Sequence, residues 1–127
     1  MSGNAKQIKW RKTAPKKSAP KDNKHMRIYM FGYRDVVFGN GFRKDYDRRY
    51  TEAEQRMYEW GRQWAQEVRA LLNLGPTDEM PDWDPMLRFG EAMVPVANQV
   101  GRDVYNAKFD AHDTWMKSTR VANWLTV

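Results

Sequence analysis

Between Met57 and Val68 the apolar positions recur at helical spacing: Met57, Gly61, Trp64, Ala65 and Val68 share one side of a 3.6-residue period, while Glu59, Arg62, Gln63 and Gln66 fall elsewhere. Thr51 precedes this run with Glu54 three positions on, a capping-box pattern, so the spacing predicts a helix from Thr51 to Asn73 or Leu74, ended by Gly75-Pro76. An earlier, shorter helix is predicted over 27–38 (RIYMFGYRDVVF), stopped by Gly39-Asn40-Gly41, with residues 42–50 as an exposed loop. A third begins with Asp84 as N-cap and Pro85 at its first position; its stripe of Met86, Gly90, Met93, Ala97, Val100 and Val104 runs through Pro95, which predicts a kink or break there. The acidic, proline-bearing stretch 75–84 reads as a connector. Trp124 and Leu125, in the apolar segment 121–127, are expected to dock on the core. The pattern describes an all-α protein of three to four helices.

A glycine inside the apolar stripe of a helix costs about 1 kcal/mol relative to alanine, which a helix contact too close for a Cβ would offset. Tyr29-Met-Phe-Gly32, Tyr58-Glu-Trp-Gly61 and Leu87-Arg-Phe-Gly90 share the form large-x-aromatic-Gly, each glycine 29 residues after the last. Gly32, Gly61 and Gly90 are therefore expected to be packing notches on three helices, with Trp64 in the same contact. The period marks either a repeated unit or a coincidence, and notch packing stands in both cases.

Composition adds a basic arm. At 127 residues and 41% hydrophobic, the chain suffices for one modest core plus an appendage. The net charge is +6. Residues 1–27 hold nine Lys or Arg against Asp22 alone, a balance of +8, so residues 28–127 carry 6 − 8 = −2. In KTAPKKSAPK the lysines repel and Pro15 and Pro20 oppose helix, predicting a disordered basic arm over 1–26. A two-helix unit over 27–74 follows, then a helical extension over 75–127 packed on it. The chain has no Cys, no apolar run of membrane-spanning length and no hydrophobic segment behind the basic N-terminus, which points to a cytoplasmic protein without a membrane partner.

An arm bearing Lys6, Lys9, Arg11, Lys12, Lys16, Lys17, Lys21 and Lys24, with Trp10 available to stack on a base or to anchor in a protein groove, is suited to a polyanion, nucleic acid above all; an acidic protein is the other partner class. The loop places Arg43, Lys44, Arg48 and Arg49 beside Phe42, Tyr46 and Tyr50, a mixture suited to phosphate contacts and base stacking in RNA, although Asp45 and Asp47 nearly halve its net charge. Arg56, Arg62 and Arg69 would extend that surface along the polar side of the second helix. Asp110, His112 and Asp113 read as a solvated helix end rather than a metal site, because Asp110 and His112 do not share a helix face. The acids Asp78, Glu79, Asp82 and Asp84 read as connector or as a dock for the chain's own basic surface. Trp60, Trp64, Met57, Met86 and Met93 read as core. Ser2, Ser18 and Ser118 fit no nucleophile constellation and no phosphate-binding loop is present, so the reading is non-enzymatic, with no cofactor, metal or small-molecule substrate.

The stretch 29–67 resembles the ribosome modulation factor family, small bacterial proteins of two helices joined by a linker. The resemblance rests on Tyr29, Gly32-Tyr33 and Gly39, then Tyr46 or Tyr50, then Tyr58, Gly61 and Ala65. It departs from the family in lacking the proline before the linker Tyr, in Asp35-Val36 where small residues are common, and in the bulky Trp60 before Gly61. It implies binding to the small ribosomal subunit and promotion of inactive ribosome dimers. The expectation is therefore an RNA- and ribosome-binding modulator, with ribosomal RNA or a ribonucleoprotein as partner and DNA as an alternative. The rival class is a structural or inhibitory interaction protein, such as a DNA-associated component of a phage virion or a small inhibitor of a host enzyme.

Overall fold

The computed structural model describes residues 24–126, with side chains through Thr119. The arm before Lys24, including Trp10 and seven of the cations named above, lies outside the described residues, as do the side chains of Trp124 and Leu125. Six helical segments and no strand occur among the described residues: α1 Lys24–Val37, α2 Tyr46–Arg49, α3 Glu52–Leu71, α4 Phe89–Ala92, α5 Val94–Val100 and α6 Arg102–Thr126. None is long and apolar enough to cross a membrane.

α1 and α3 form the nucleus of the fold. The predicted capping box is present: Thr51 Oγ1 accepts from the Glu54 backbone N–H at 3.2 Å, and Glu54 Oε1 accepts from the Thr51 N–H at 3.0 Å. At the end of α1, Gly39 has φ 75°; its N–H donates to Val36 O and the Asn40 N–H to Asp35 O, a Schellman closure. α3 stops through Asn73 in the left-handed region, φ 57°, two residues before the expected Gly75. Lys24 is already helical within α1, so this lysine belongs to the helix and not to the arm; its Nζ lies 3.0 Å from Glu54 Oε2.

The two helices cross through glycine. A Cβ on Gly32 would collide with the Tyr58 carbonyl oxygen, and a Cβ on Gly61 with the Tyr29 carbonyl oxygen, the carbonyl carbons lying 3.0 and 2.7 Å away. The contact is reciprocal: each Tyr-x-x-Gly segment presents its tyrosine carbonyl to the other's glycine, so the glycine hydrogens in the Cβ positions face carbonyl oxygens, the arrangement of weak C–H···O contacts at close helix crossings. Gly90 breaks the series, being exposed with no atom within 4 Å of where a Cβ would stand. Two notches exist, not three.

The C-terminal half departs further from the expected continuous helix. Asp84 accepts from the Met86 N–H at 2.9 Å, but it caps a single turn; Met86 is 85% exposed and not in the core. The helix then forms in three pieces. It breaks at Met93 just before Pro95, as predicted, and again at Gly101, whose φ of 96° no other residue type readily adopts. Val104, expected on the buried stripe, is half exposed on α6.

The core is aromatic. Trp64 is fully buried at its centre, its indole N–H donating to Met93 Sδ at 3.3 Å, with Phe89, Phe109, Tyr105 and His112 around it. Trp60 and Met93 are buried as expected and Met57 is half buried. The connector contributes core of its own: Met80 and Trp83 are buried, Trp83 donates to Leu87 O at 3.1 Å, and Tyr33 O–H donates to Pro81 O at 3.0 Å. Of its acids, Asp82 docks the chain's own basic surface, holding Arg34 through two bonds of 2.8 and 3.0 Å.

His112 corrects the reading of a solvated helix end. It is 1% exposed and lies on the α6 stripe Tyr105, Phe109, His112, Met116, against both α1 and α3. Nδ1 lies 3.2 Å from Glu67 Oε2 and Nε2 lies 2.9 Å from the Tyr29 hydroxyl. A carboxylate only accepts, which assigns the proton to Nδ1 and makes Nε2 the acceptor of the Tyr29 O–H. Burial holds the imidazole pKa below its ordinary value, against the opposing pull of Glu67.

Candidate nucleic-acid interface

Four elements bring cations and aromatic rings to one end of the α1–α3 pair. The last turn of α1 and the residue after it supply Arg34 and Phe38, the loop supplies Phe42 and Arg43, α2 supplies Tyr46, Arg48 and Arg49, and the middle of α3 supplies Tyr58 and Arg62. The segment 42–50 is not a free loop. Asp45 at φ 60° turns the chain into α2, and Tyr46 O–H donates to Glu59 Oε2 at 2.6 Å, which pushes the phenol pKa up to about 12.

Tyr58, fully buried, is the hub of this region. Phe42, Tyr46 and Tyr50 pack on its ring at 5.6, 5.7 and 5.9 Å, and its hydroxyl donates to Asp35 while accepting the Arg43 backbone N–H at 3.0 Å. Asp35 also accepts from Arg43 Nε at 3.0 Å, and the Arg43 guanidinium lies 4.5 Å from the Phe31 ring centre. Arg43 is thus a structural clamp between loop and α1. Tyr46 and Tyr50, predicted as stacking surfaces, spend part of their ring area on Tyr58.

Three of the six cations here have a carboxylate partner: Arg34 with Asp82, Arg43 with Asp35, and Arg48 with Asp45 at 2.7 Å. Lys44, Arg49 and Arg62 form no ion pair among the described residues. Arg62 reaches Asn40 O at 3.2 Å and lies 4.5 Å over the ring of Phe42. Phe38 and Phe42, at 57% and 52% exposed, are the outward rings, each with a guanidinium on one face, since Arg34 lies 5.2 Å over Phe38. Sequence reasoning passed over Phe38; its place beside the Gly39-Asn40-Gly41 stop was the available signal.

Arg56 does not join this surface. Six residues from Arg62 at 100° each put it about 120° around α3, where Nη1 bonds Glu52 O at 3.2 Å. Lys24 is likewise at the far end of α1, paired with Glu54. Asp110 is exposed and Asp113 pairs with Lys117 at 2.9 Å; no cluster of three or more metal-ligating residues occurs among the described residues. The surface can offer unpaired cations, two outward aromatic faces and planar guanidiniums already stacked. Comparison with protein-family models, with curated proteins and with solved structures finds no match.

Proposed function

We propose that this protein is a non-enzymatic RNA-binding factor that acts on the ribosome, its basic N-terminal segment supplying affinity and the Arg and Phe surface at the α1–α3 end supplying placement. The observation that carries the reading is the two outward phenylalanines, Phe38 and Phe42, each backed by a guanidinium, with the exposed Lys44 and Arg49, which form no ion pair among the described residues, on the same connection between α1 and α3. Unpaired bases stack on such rings while the cations meet phosphate, so the surface suits looped or single-stranded RNA better than the groove of a duplex. The resemblance to ribosome modulation factors adds support, because Gly32 and Gly61, which carry it, are the residues that meet at the helix crossing.

Sedimentation of cell lysate tests the proposal: the protein should travel with the small ribosomal subunit, and RNase treatment should release it. A protein-binding role is favoured by a different observation, the neutralisation of Arg34, Arg43 and Arg48 by internal carboxylates, which leaves a mixed apolar and polar patch. Co-purification with one protein that survives RNase would decide for that role.

A further inference from the structure

An apolar groove opens at the other end of the molecule, where α6 passes over the start of α1 and the first half of α3. Its volume is about 280 Å³, and Met26, Met57, Trp60, Phe89, Phe109 and Met116 line it, with the Asp113 and Lys117 ion pair at its rim. We propose that this groove is the docking site of the chain's own Trp10, which folds the basic N-terminal segment back onto the body. The inference is independent of the RNA reading.

The point of attachment favours this occupant. Lys24 is held at 3.0 Å by Glu54, one turn before Met57 on α3, so the described chain begins beside the groove, two residues from Met26. Thirteen residues, 11–23, separate Trp10 from Lys24. At about 3.3 Å per extended residue they span up to roughly 43 Å, enough to turn back into the groove without strain. Ala14-Pro15 and Ala19-Pro20 restrict the states of this tether, which lowers the entropy lost when its end is fixed.

The chemistry of the groove selects the indole. Between Ser2 and Asn23 the large aliphatic or aromatic side chains are Ile8 and Trp10. Three methionines in the wall offer flexible, polarizable thioethers that fit a large ring and make sulfur-aromatic contacts. The indole N–H needs an acceptor when buried, and Asp113, which uses one oxygen on Lys117, has lone pairs left at the rim. Charge agrees as well: the segment is strongly basic, while residues 28–127 carry −2, and the one cation at its junction that is described, Lys24, already bonds an acid of the body.

Methionine-methyl NMR on the full chain tests the proposal. The chain has no cysteine, so Gln7→Cys places a single nitroxide three residues from Trp10. Docking predicts that the label erases most of the Met26, Met57 and Met116 methyl intensity. Met80, which lies against the far end of α1, should keep its intensity. Adding Trp10→Ala should restore all three groove signals. Even quenching of Met80, or groove quenching that survives Trp10→Ala, would overturn the proposal. So would groove signals untouched by the label, which would leave the groove to the C-terminal segment or to another protein. Equal groove quenching of isotope-enriched chains that carry no nitroxide, when mixed with nitroxide-labelled chains that carry no isotope, would assign the groove to a second copy and also refute it.

Discussion

Single residues set both the crossing of α1 on α3 and the pH at which the core holds. Gly61→Ala gains up to about 1 kcal/mol of helix propensity but drives a methyl into the Tyr29 backbone, and backbone cannot rotate away. Overpacking of this kind costs about 1–3 kcal/mol, so Gly61→Ala and Gly32→Ala should both lower the melting temperature. Gly90→Ala, with open space around it, should leave melting unchanged or raise it; the three melting curves together separate a packing notch from a glycine motif. His112 contributes to the response to acid. Its folded pKa lies below the ordinary imidazole value near 6.5, so the unfolded chain takes up the proton first. The stability it contributes is whole above that value and is lost as pH falls below it. Urea unfolding at about pH 7.5 and about pH 5, either side of the ordinary imidazole value, should show the decline. His112→Gln should flatten it while lowering the plateau, because Glu67 and Tyr29 lose their shared partner.

At the scale of elements, the connection between α1 and α3 is scaffold on one side and surface on the other. Arg43→Ala removes the cationic partner of the buried Asp35, leaving it the Tyr58 hydroxyl, and should cost about 1–3 kcal/mol, visible in the denaturation midpoint. Lys44→Ala with Arg49→Ala removes two exposed cations that form no ion pair among the described residues and should leave stability within about 0.5 kcal/mol while weakening RNA binding. Equal loss of stability in both variants, with binding tracking stability, would remove the surface from the interface. α1 and α3 were legible in the sequence because their signals are local: the Thr51 and Glu54 box, the Gly39-Asn40 stop and a 3.6-residue stripe each act within a turn or two. The connector was not, since Met80 and Trp83 follow no period and their burial is decided by Tyr33, Arg34 and Leu87 from elsewhere in the chain. Gly101 was legible as a break and was overrun by a stripe read through it. The clamping of Arg43 by Asp35, eight residues away and across the helix end, depends on a turn geometry that residue types alone do not specify.

The whole molecule places its charge at one end of the chain and its core in the rest. Residues 28–127 carry a net −2, so the proposed function assigns the electrostatic affinity for RNA to the N-terminal segment and the preference among nucleic acids to the α1–α3 surface. Deleting residues 1–23 removes seven cations and leaves every residue of the described core in place. The body should keep its helical circular dichroism, since α1 retains its Lys24 to Glu54 anchor. The direct measurement is the affinity of the full chain and of the deleted chain for single-stranded ribosomal RNA across a series of salt concentrations. If about five of the seven cations each neutralise a phosphate, at roughly 0.7 per contact, deletion should make the slope of log K against log salt shallower by about 3.5. The residual binding should still favour single-stranded RNA over duplex DNA. Identical slopes for the two proteins would contradict the account.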